Sequence, residues 1–241
     1  MQYVGGKQKS GGAQIAKFIN ALGLRSISEP FCGGLSVTYR LNFRQIQASD
    51  ACQCLIRLYQ EFQRGWRPPV SLSREEWLKY KEIQDPNDPM TAFAGFGCSS
   101  SGAYFGSYAT KYKYSGNKYV EAAFAAAISL ENKHKKLKNV TFSHCHYAQT
   151  EETDCIYADP PYKGTKCYPA VGPFDSDAFW QWVRERISRK TLVFVSEMQA
   201  PSDFVPIREF LVQNRIATEA GKWRKEFLYA HESQVRSAWN V

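Results

Sequence analysis

The residues best placed to do chemistry are Asp159-Pro160-Pro161-Tyr162, which follow the apolar run Cys155-Ile156-Tyr157-Ala158 and precede Lys163-Gly164-Thr165. The apolar run reads as a buried strand. Two consecutive prolines cannot continue it and hold the backbone extended and stiff past its end, so Asp159 and Tyr162 are displayed in fixed relation. The Asp159 carboxylate and the Asp159 and Pro160 carbonyls can accept hydrogen bonds from an amino group, and the Tyr162 ring offers a stacking face. A flat, polar-edged amine, such as the exocyclic amine of a nucleobase, suits that arrangement. Two prolines that merely end a strand would look the same, so the upstream residues must decide.

Two glycine turns stand upstream. Tyr3-Val4-Gly5-Gly6-Lys7 precedes Ile15, Phe18, Ile19 and Leu22 at helical spacing, which places Lys7 at a turn where it can meet a carboxylate or phosphate; a solvated lysine in an N-terminal turn has the same pattern. Ser26 to Val37 reads as a short strand, the turn Cys32-Gly33-Gly34, and a helix carrying Val37, Tyr39, Arg40 and Leu41. Strand, glycine turn and helix together make a cofactor cradle in doubly wound α/β folds. Ile46 and Ala48 then mark a second strand ending at Asp50, followed by a helix through Leu55, Ile56, Leu58, Tyr59 and Phe62. An acid at that strand end is placed to accept from ribose hydroxyls, and equally to cap the next helix.

From 65 to 119 the periodicity weakens and prolines and small residues cluster, which predicts an inserted module between catalytic segments 1–64 and 120–241. Tyr104 to Tyr119 holds six aromatic residues, three lysines and no acid. Tyr104, Tyr108 and Tyr112 interleaved with Lys111, Lys113 and Lys118 suit stacked bases and neutralised phosphates. An aromatic packed subdomain with a solvated lysine edge is the alternative. Farther on, the pattern predicts a helix over 120–137 and a strand at Val140-Thr141-Phe142 leading to His144-Cys145-His146-Tyr147. No second ligand pair stands at zinc spacing, so no metal is expected. A helix over 177–187, a buried strand at Thr191 to Ser196, a loop from Glu197 to Pro206 and a closing strand at Phe227-Leu228-Tyr229 complete the alternation.

The whole chain of 241 residues, 44% hydrophobic with 15% aromatic content, can bury a real core. A net charge of +8 favours a polyanionic partner. Seven scattered cysteines suit free thiols in a reducing compartment, and no long apolar stretch or signal-like N-terminus occurs, so the expectation is a soluble cytoplasmic protein that engages no membrane.

In this order, Tyr3-Val4-Gly5-Gly6-Lys7, Glu29-Pro30-Phe31-Cys32-Gly33-Gly34, Asp50 and Asp159-Pro160-Pro161-Tyr162 with Gly164-Thr165 resemble the Dam-type (D12 class, alpha-group) DNA adenine N6-methyltransferases over nearly the whole chain. The resemblance implies an α/β, Rossmann-like class I methyltransferase fold: a mostly parallel central sheet flanked by helices, with an inserted target-recognition module. It implies S-adenosylmethionine as cofactor, double-stranded DNA as partner with no obligatory protein partner, and a bacterial cytoplasm or the host cytoplasm of a phage or plasmid. Asp159, Pro160 and Tyr162 would be catalytic. Tyr3, Gly5, Gly6, Lys7, Phe31, Gly33, Gly34, Asp50, His146, Tyr147 and Asp159 would hold the donor. Two positions depart from the family's pattern: Leu35 stands where a glycine is usual, and His146 where an Asp precedes the strand-end Tyr147. The same cradle could serve a cytosine-N4 or RNA adenine methyltransferase, or an inactive nucleic-acid-binding descendant.

Overall fold

The computed structural model describes all residues except 2, 4–5, 8–10, 116–117, 163–172, 214–222 and 239–241, and gives backbone alone for 113–115, 212–213, 223–224 and 236–238. Its strands are β1 (Ser26–Glu29), β2 (Gln45–Asp50), β3 (Lys111–Ser115), β4 (Lys118–Glu121), β5 (Val140–His144), β6 (Cys155–Ala158), β7 (Leu192–Glu197), β8 (Phe204–Gln213) and β9 (Trp223–His231). Its principal helices are α1 (Gly12–Asn20), α2 (Gln53–Arg64), α3 (Arg74–Ile83), α4 (Pro89–Ala92), α5 (Ala122–Leu137) and α6 (Ser176–Ser188). Among the described residues no helix is long and apolar enough to cross a membrane. The chain gathers into two compact units. One comprises Met1–Gly6, Gly33–Leu35 and Asp50–His144, the other Lys7–Cys32, Ser36–Ser49 and Cys145–Val241.

In the unit that contains Lys7, six strands run in the order β2-β1-β6-β7-β9-β8. β2, β1, β6 and β7 are parallel, and β9 and β8 return antiparallel. Helices cover both faces, as the alternation of side chains in β7 requires. Phe194 meets Phe18 of α1 at 5.3 Å on one side, while Val193 and Val195 pack with Phe179, Trp180 and Val183 of α6 on the other. Asp175 starts α6 by accepting from the amides of Asp177 (3.0 Å) and Ala178 (2.9 Å). β6 is buried at every residue, Cys155 to Ala158, which is why its sequence is an unbroken apolar run. The fold is thus α/β with a mainly parallel sheet, wound in both directions from the β1–β6 pair.

The other unit carries α2 to α5, β5 and the antiparallel pair β3–β4, and it includes all of 65–119. Leu55, Ile56, Leu58, Tyr59 and Phe62 form the buried face of α2, which ends at Gly65 in the left-handed region (φ 110°). α3 begins with a reciprocal capping box, in which the Ser73 hydroxyl accepts the Glu76 amide and the Glu76 carboxylate accepts the Ser73 amide, at 3.1 and 2.8 Å.

Two sequence expectations need correction. The helix expected after Val37 is one short 3-10 turn, Thr38–Arg40, because the backbone turns extended at Leu41 (φ −71°, ψ 144°). The loop expected from Glu197 to Pro206 is shorter. Glu197 closes β7 and Pro206 lies inside β8, the edge strand, where a register shift between Pro206 and Arg208 accommodates the missing amide. The segment 65–119 also contains the capped helix α3, which the sequence reading did not single out.

Candidate active site

The strand order reverses between β1 and β6, and in open α/β sheets ligands bind beyond the carboxyl ends of strands at such a switch point. β6 delivers Asp159 and the buried Pro160 there, and β1 delivers Phe31. The neighbouring strand β7 ends at Glu197, and antiparallel β9 brings Glu226 to the same end, since Glu197 pairs with Phe227.

These elements assemble a charged cluster around Lys7. Its ammonium lies 2.9 Å from Asp159 Oδ1 and 3.1 Å from Glu226 Oε2, and it donates to the Tyr162 hydroxyl. The same ammonium lies 5.0 Å from the centre of the Tyr162 ring, and the Tyr162 hydroxyl reaches Asp159 Oδ1 at 3.4 Å. Lys7 is 2% exposed and Glu226 4%, but Asp159 keeps 19%, so the Asp159 carboxylate is the open side of the cluster. Burial pulls the Lys7 ammonium down, but the negative charges of Asp159 and Glu226 outweigh it and raise its pKa. Burial raises Asp159 against the opposing pull of Lys7. Lys7 is placed from behind by Gly12, whose amide donates to the Lys7 carbonyl at 3.2 Å. A Cβ on Gly12 would stand 2.7 Å from that carbonyl oxygen.

Glu197 is buried, and its carboxylate accepts the Met198 amide at 2.8 Å. Among the described residues no ion pair reaches it. Burial, with the nearby Asp159 charge, pushes its pKa up to about 7. Neither Glu197 nor Glu226 was singled out by the sequence. Beside them, Phe31, Tyr147, Phe174 and Phe179 form an aromatic cluster, with Phe31 and Tyr147 at 5.6 Å and 30°. His146 fills the N-cap of the turn Tyr147–Gln149: its Nδ1 accepts the Ala148 amide at 3.4 Å, work a carboxylate side chain at that position would also do.

In the other unit, Tyr3, Gly33, Gly34 and Asp50 come together. Asp50 accepts the Gly33 amide at 3.0 Å through Oδ2 and the Cys52 amide at 2.9 Å through Oδ1. Burial raises the Asp50 pKa although both amides oppose it. Tyr59 donates to the Gly33 carbonyl at 2.6 Å, and buried Lys133 to the Gly34 carbonyl at 2.7 Å. The glycines are required by Tyr3, because a Cβ on Gly33 (φ 42°) or Gly34 would come 2.7 or 2.8 Å from its side chain. Leu35, the departure from the family's glycine, buries its side chain completely in spite of its positive φ. Gly6 donates to the Tyr3 carbonyl at 3.0 Å, and Gly5 lies outside the described residues, as do Gly164 and Thr165.

The candidate DNA-contacting residues divide. Tyr104 packs between Phe96 (4.9 Å) and Phe105 (4.8 Å), Tyr108 donates to the Leu72 carbonyl at 2.5 Å, and Tyr112 donates to the Ser99 carbonyl. Lys111 and Lys118 are exposed on the β3–β4 pair, and the Lys113 side chain lies outside the described residues.

No protein-family model and no curated protein matches the sequence. Solved structures with a related course of chain include a Pyrococcus horikoshii protein provisionally assigned as an RNA methyltransferase (7% identity, covering 92% of this chain and 83% of that one, TM-score 0.39). Others are a magnesium protoporphyrin IX methyltransferase from Synechocystis with bound SAM (12%, 92% and 80%, TM-score 0.35) and a conserved hypothetical protein from Streptococcus pyogenes (8%, 86% and 86%, TM-score 0.35). At these scores they add nothing to what the sheet order establishes. The chemistry rests on the cluster itself: a partly open carboxylate, held by a buried ammonium and flanked by a tethered tyrosine, is a fixed hydrogen-bond acceptor.

Proposed function

We propose that the protein is an S-adenosylmethionine-dependent methyltransferase acting on the N6 amine of a flipped-out adenine in duplex DNA. The observation that carries the reading is the Lys7–Asp159–Tyr162 cluster at the sheet's switch point. The residues fit a cationic donor. Asp159, Glu226 and Glu197 set three carboxylates against the Lys7 ammonium, and Glu197 has no ion pair among the described residues. When bound, S-adenosylmethionine supplies an electrophilic methyl group on a positively charged sulfur. Phe31 and Tyr147, in the same unit as the cluster, offer aromatic faces.

An aromatic amine is a poor nucleophile because its lone pair is delocalised into the ring. Asp159 accepting one N–H and the Pro160 carbonyl the other would draw the nitrogen toward tetrahedral geometry and stabilise the positive charge it gains. Lys7 fixes the carboxylate for that task, and the Tyr162 ring, its orientation set through the hydroxyl, would replace stacking lost on base flipping, a cost of a few kcal/mol. Exposed Lys111 and Lys118 would meet phosphates.

The test is transfer of labelled methyl groups to duplex DNA, followed by nucleoside analysis. N6-methyladenine is expected; N4-methylcytosine, or product only on RNA, would overturn the choice of target. Asp159→Ala should abolish turnover while donor binding by calorimetry, though weaker, largely persists and the chain still folds. Turnover like that of the unaltered protein in this variant would refute the assignment.

A further inference from the structure

Cys52 and Cys54 place their sulfur atoms 3.5 Å apart in a buried site at the start of α2. Cys52 occupies the N-cap position with an extended backbone (φ −84°, ψ 98°), and Cys54 lies in the first turn, so both side chains face the same space. Disulfide formation requires Cα atoms within roughly 4.4–6.8 Å and converging Cβ vectors. Residues two apart at a helix start meet the first condition, and the sulfur separation shows the second. The Tyr104 hydroxyl lies 3.8 Å from the Cys54 sulfur. Cys52 is also tied to the glycine turn, since its amide is one of the two that Asp50 accepts, the other being that of Gly33.

We propose that Cys52 and Cys54 form a redox-active dithiol that a hydroperoxide closes to an intramolecular disulfide, loosening the Asp50 clamp on the Gly33 turn. The chemistry balances. The Cys54 thiolate attacks one peroxide oxygen and the O–O bond breaks; that oxygen stays on sulfur as a sulfenic acid, and the other leaves with a proton as water or an alcohol. The Cys52 sulfur then attacks the sulfenic sulfur, the S–O bond breaks, and hydroxide departs with the Cys52 proton as water. Two sulfurs lose two electrons and the peroxide gains them. Cys54 is the attacking group because it lies in the first turn of α2, where the helix N-terminus favours a thiolate. Closure draws the sulfurs from 3.5 Å to about 2.05 Å, and the backbone that carries the Cys52 amide must follow.

The full chain should be exposed to graded hydrogen peroxide, alkylated, digested and weighed. The peptide containing Cys52 and Cys54 is expected to lose two hydrogens and escape alkylation at both positions, reversibly with dithiothreitol, and Cys52→Ser or Cys54→Ser should each prevent the link. Finding both thiols alkylated at a dose that oxidises the half-buried Cys145, or Cys54 as a sulfinic acid beside an alkylated Cys52, would overturn the proposal. The clamp is read by hydrogen exchange. The Gly33 and Cys52 amides should exchange at least tenfold faster in the oxidised form, and unchanged protection would overturn the coupling. Neither measurement depends on methyl transfer, so the dithiol and the enzymatic reading can fail separately.

Discussion

The Gly33–Asp50 turn and the Lys7–Asp159 cluster both bury charge, and they do so on opposite terms. At the turn, Asp50 accepts two amides, the Gly33 carbonyl takes a tyrosine hydroxyl and the Gly34 carbonyl takes a lysine. Each member has a partner supplied by the chain. Around Lys7 one ammonium serves Asp159 and Glu226, and Glu197 adds a third buried carboxylate. The turn matches its polar groups one to one, whereas the cluster gathers like charges around one ammonium, which costs stability.

The comparison breaks most visibly at Lys7. Lys7→Met leaves the buried Glu226 and the partly open Asp159 without their ammonium and should cost about 3–5 kcal/mol in urea denaturation; a loss below about 1 kcal/mol would mean that the cluster relaxes to water. Gly33→Ala attacks the other centre by shape, since its Cβ meets the Tyr3 ring at 2.7 Å from a left-handed backbone. A loss of about 1–3 kcal/mol is expected, part of it restored in a Tyr3→Ala background. A smaller effect of opposite sign belongs to Glu197. Its carboxyl has an ordinary pKa of 4.5 and is raised to about 7 in the folded protein. The folded form therefore binds the proton more tightly, and the resulting stability is complete below the ordinary value and lost as pH rises through 7. Glu197→Gln should flatten that decline and leave the variant about 1–3 kcal/mol more stable than the parent at pH 8, measured by melting across pH; parallel curves would show that Glu197 is solvated. Smallest is the exposed pair Lys111 and Lys118. Neutralising each should lower the salt slope of DNA affinity by about one, and an unchanged slope would remove the β3–β4 pair from the interface.

Much of the cluster was legible because its members carry local signals. The double proline pinned Asp159 to a strand end, and the glycine-lysine turn singled out Lys7. Glu226 carried no such signal. It alternates with Lys225 in Trp223-Arg224-Lys225-Glu226-Phe227, which resembles the solvated face of a strand, and only the register of β9 against β7 turns it inward. Glu197 likewise read as the first residue of a loop. Asp50 was recognised as a strand-end acid, but the N-cap of α2 is Cys52, so Asp50 does not cap that helix and instead joins the Gly33 and Cys52 amides. Pro206 misled because strands reject proline in general, while an edge strand with a register shift does not. Local chemistry is written in neighbouring residues; pairing across the sheet is not.

The antiparallel course of β9 has a consequence in time. Lys7 and Glu226 are 219 residues apart in sequence, so on a ribosome moving at roughly 5–20 residues per second the ammonium emerges on the order of ten to forty seconds before its second carboxylate. For that interval Lys7 is an ordinary solvated lysine and Asp159 lacks its finished setting. The complete cluster can therefore form only once β9 has been synthesised.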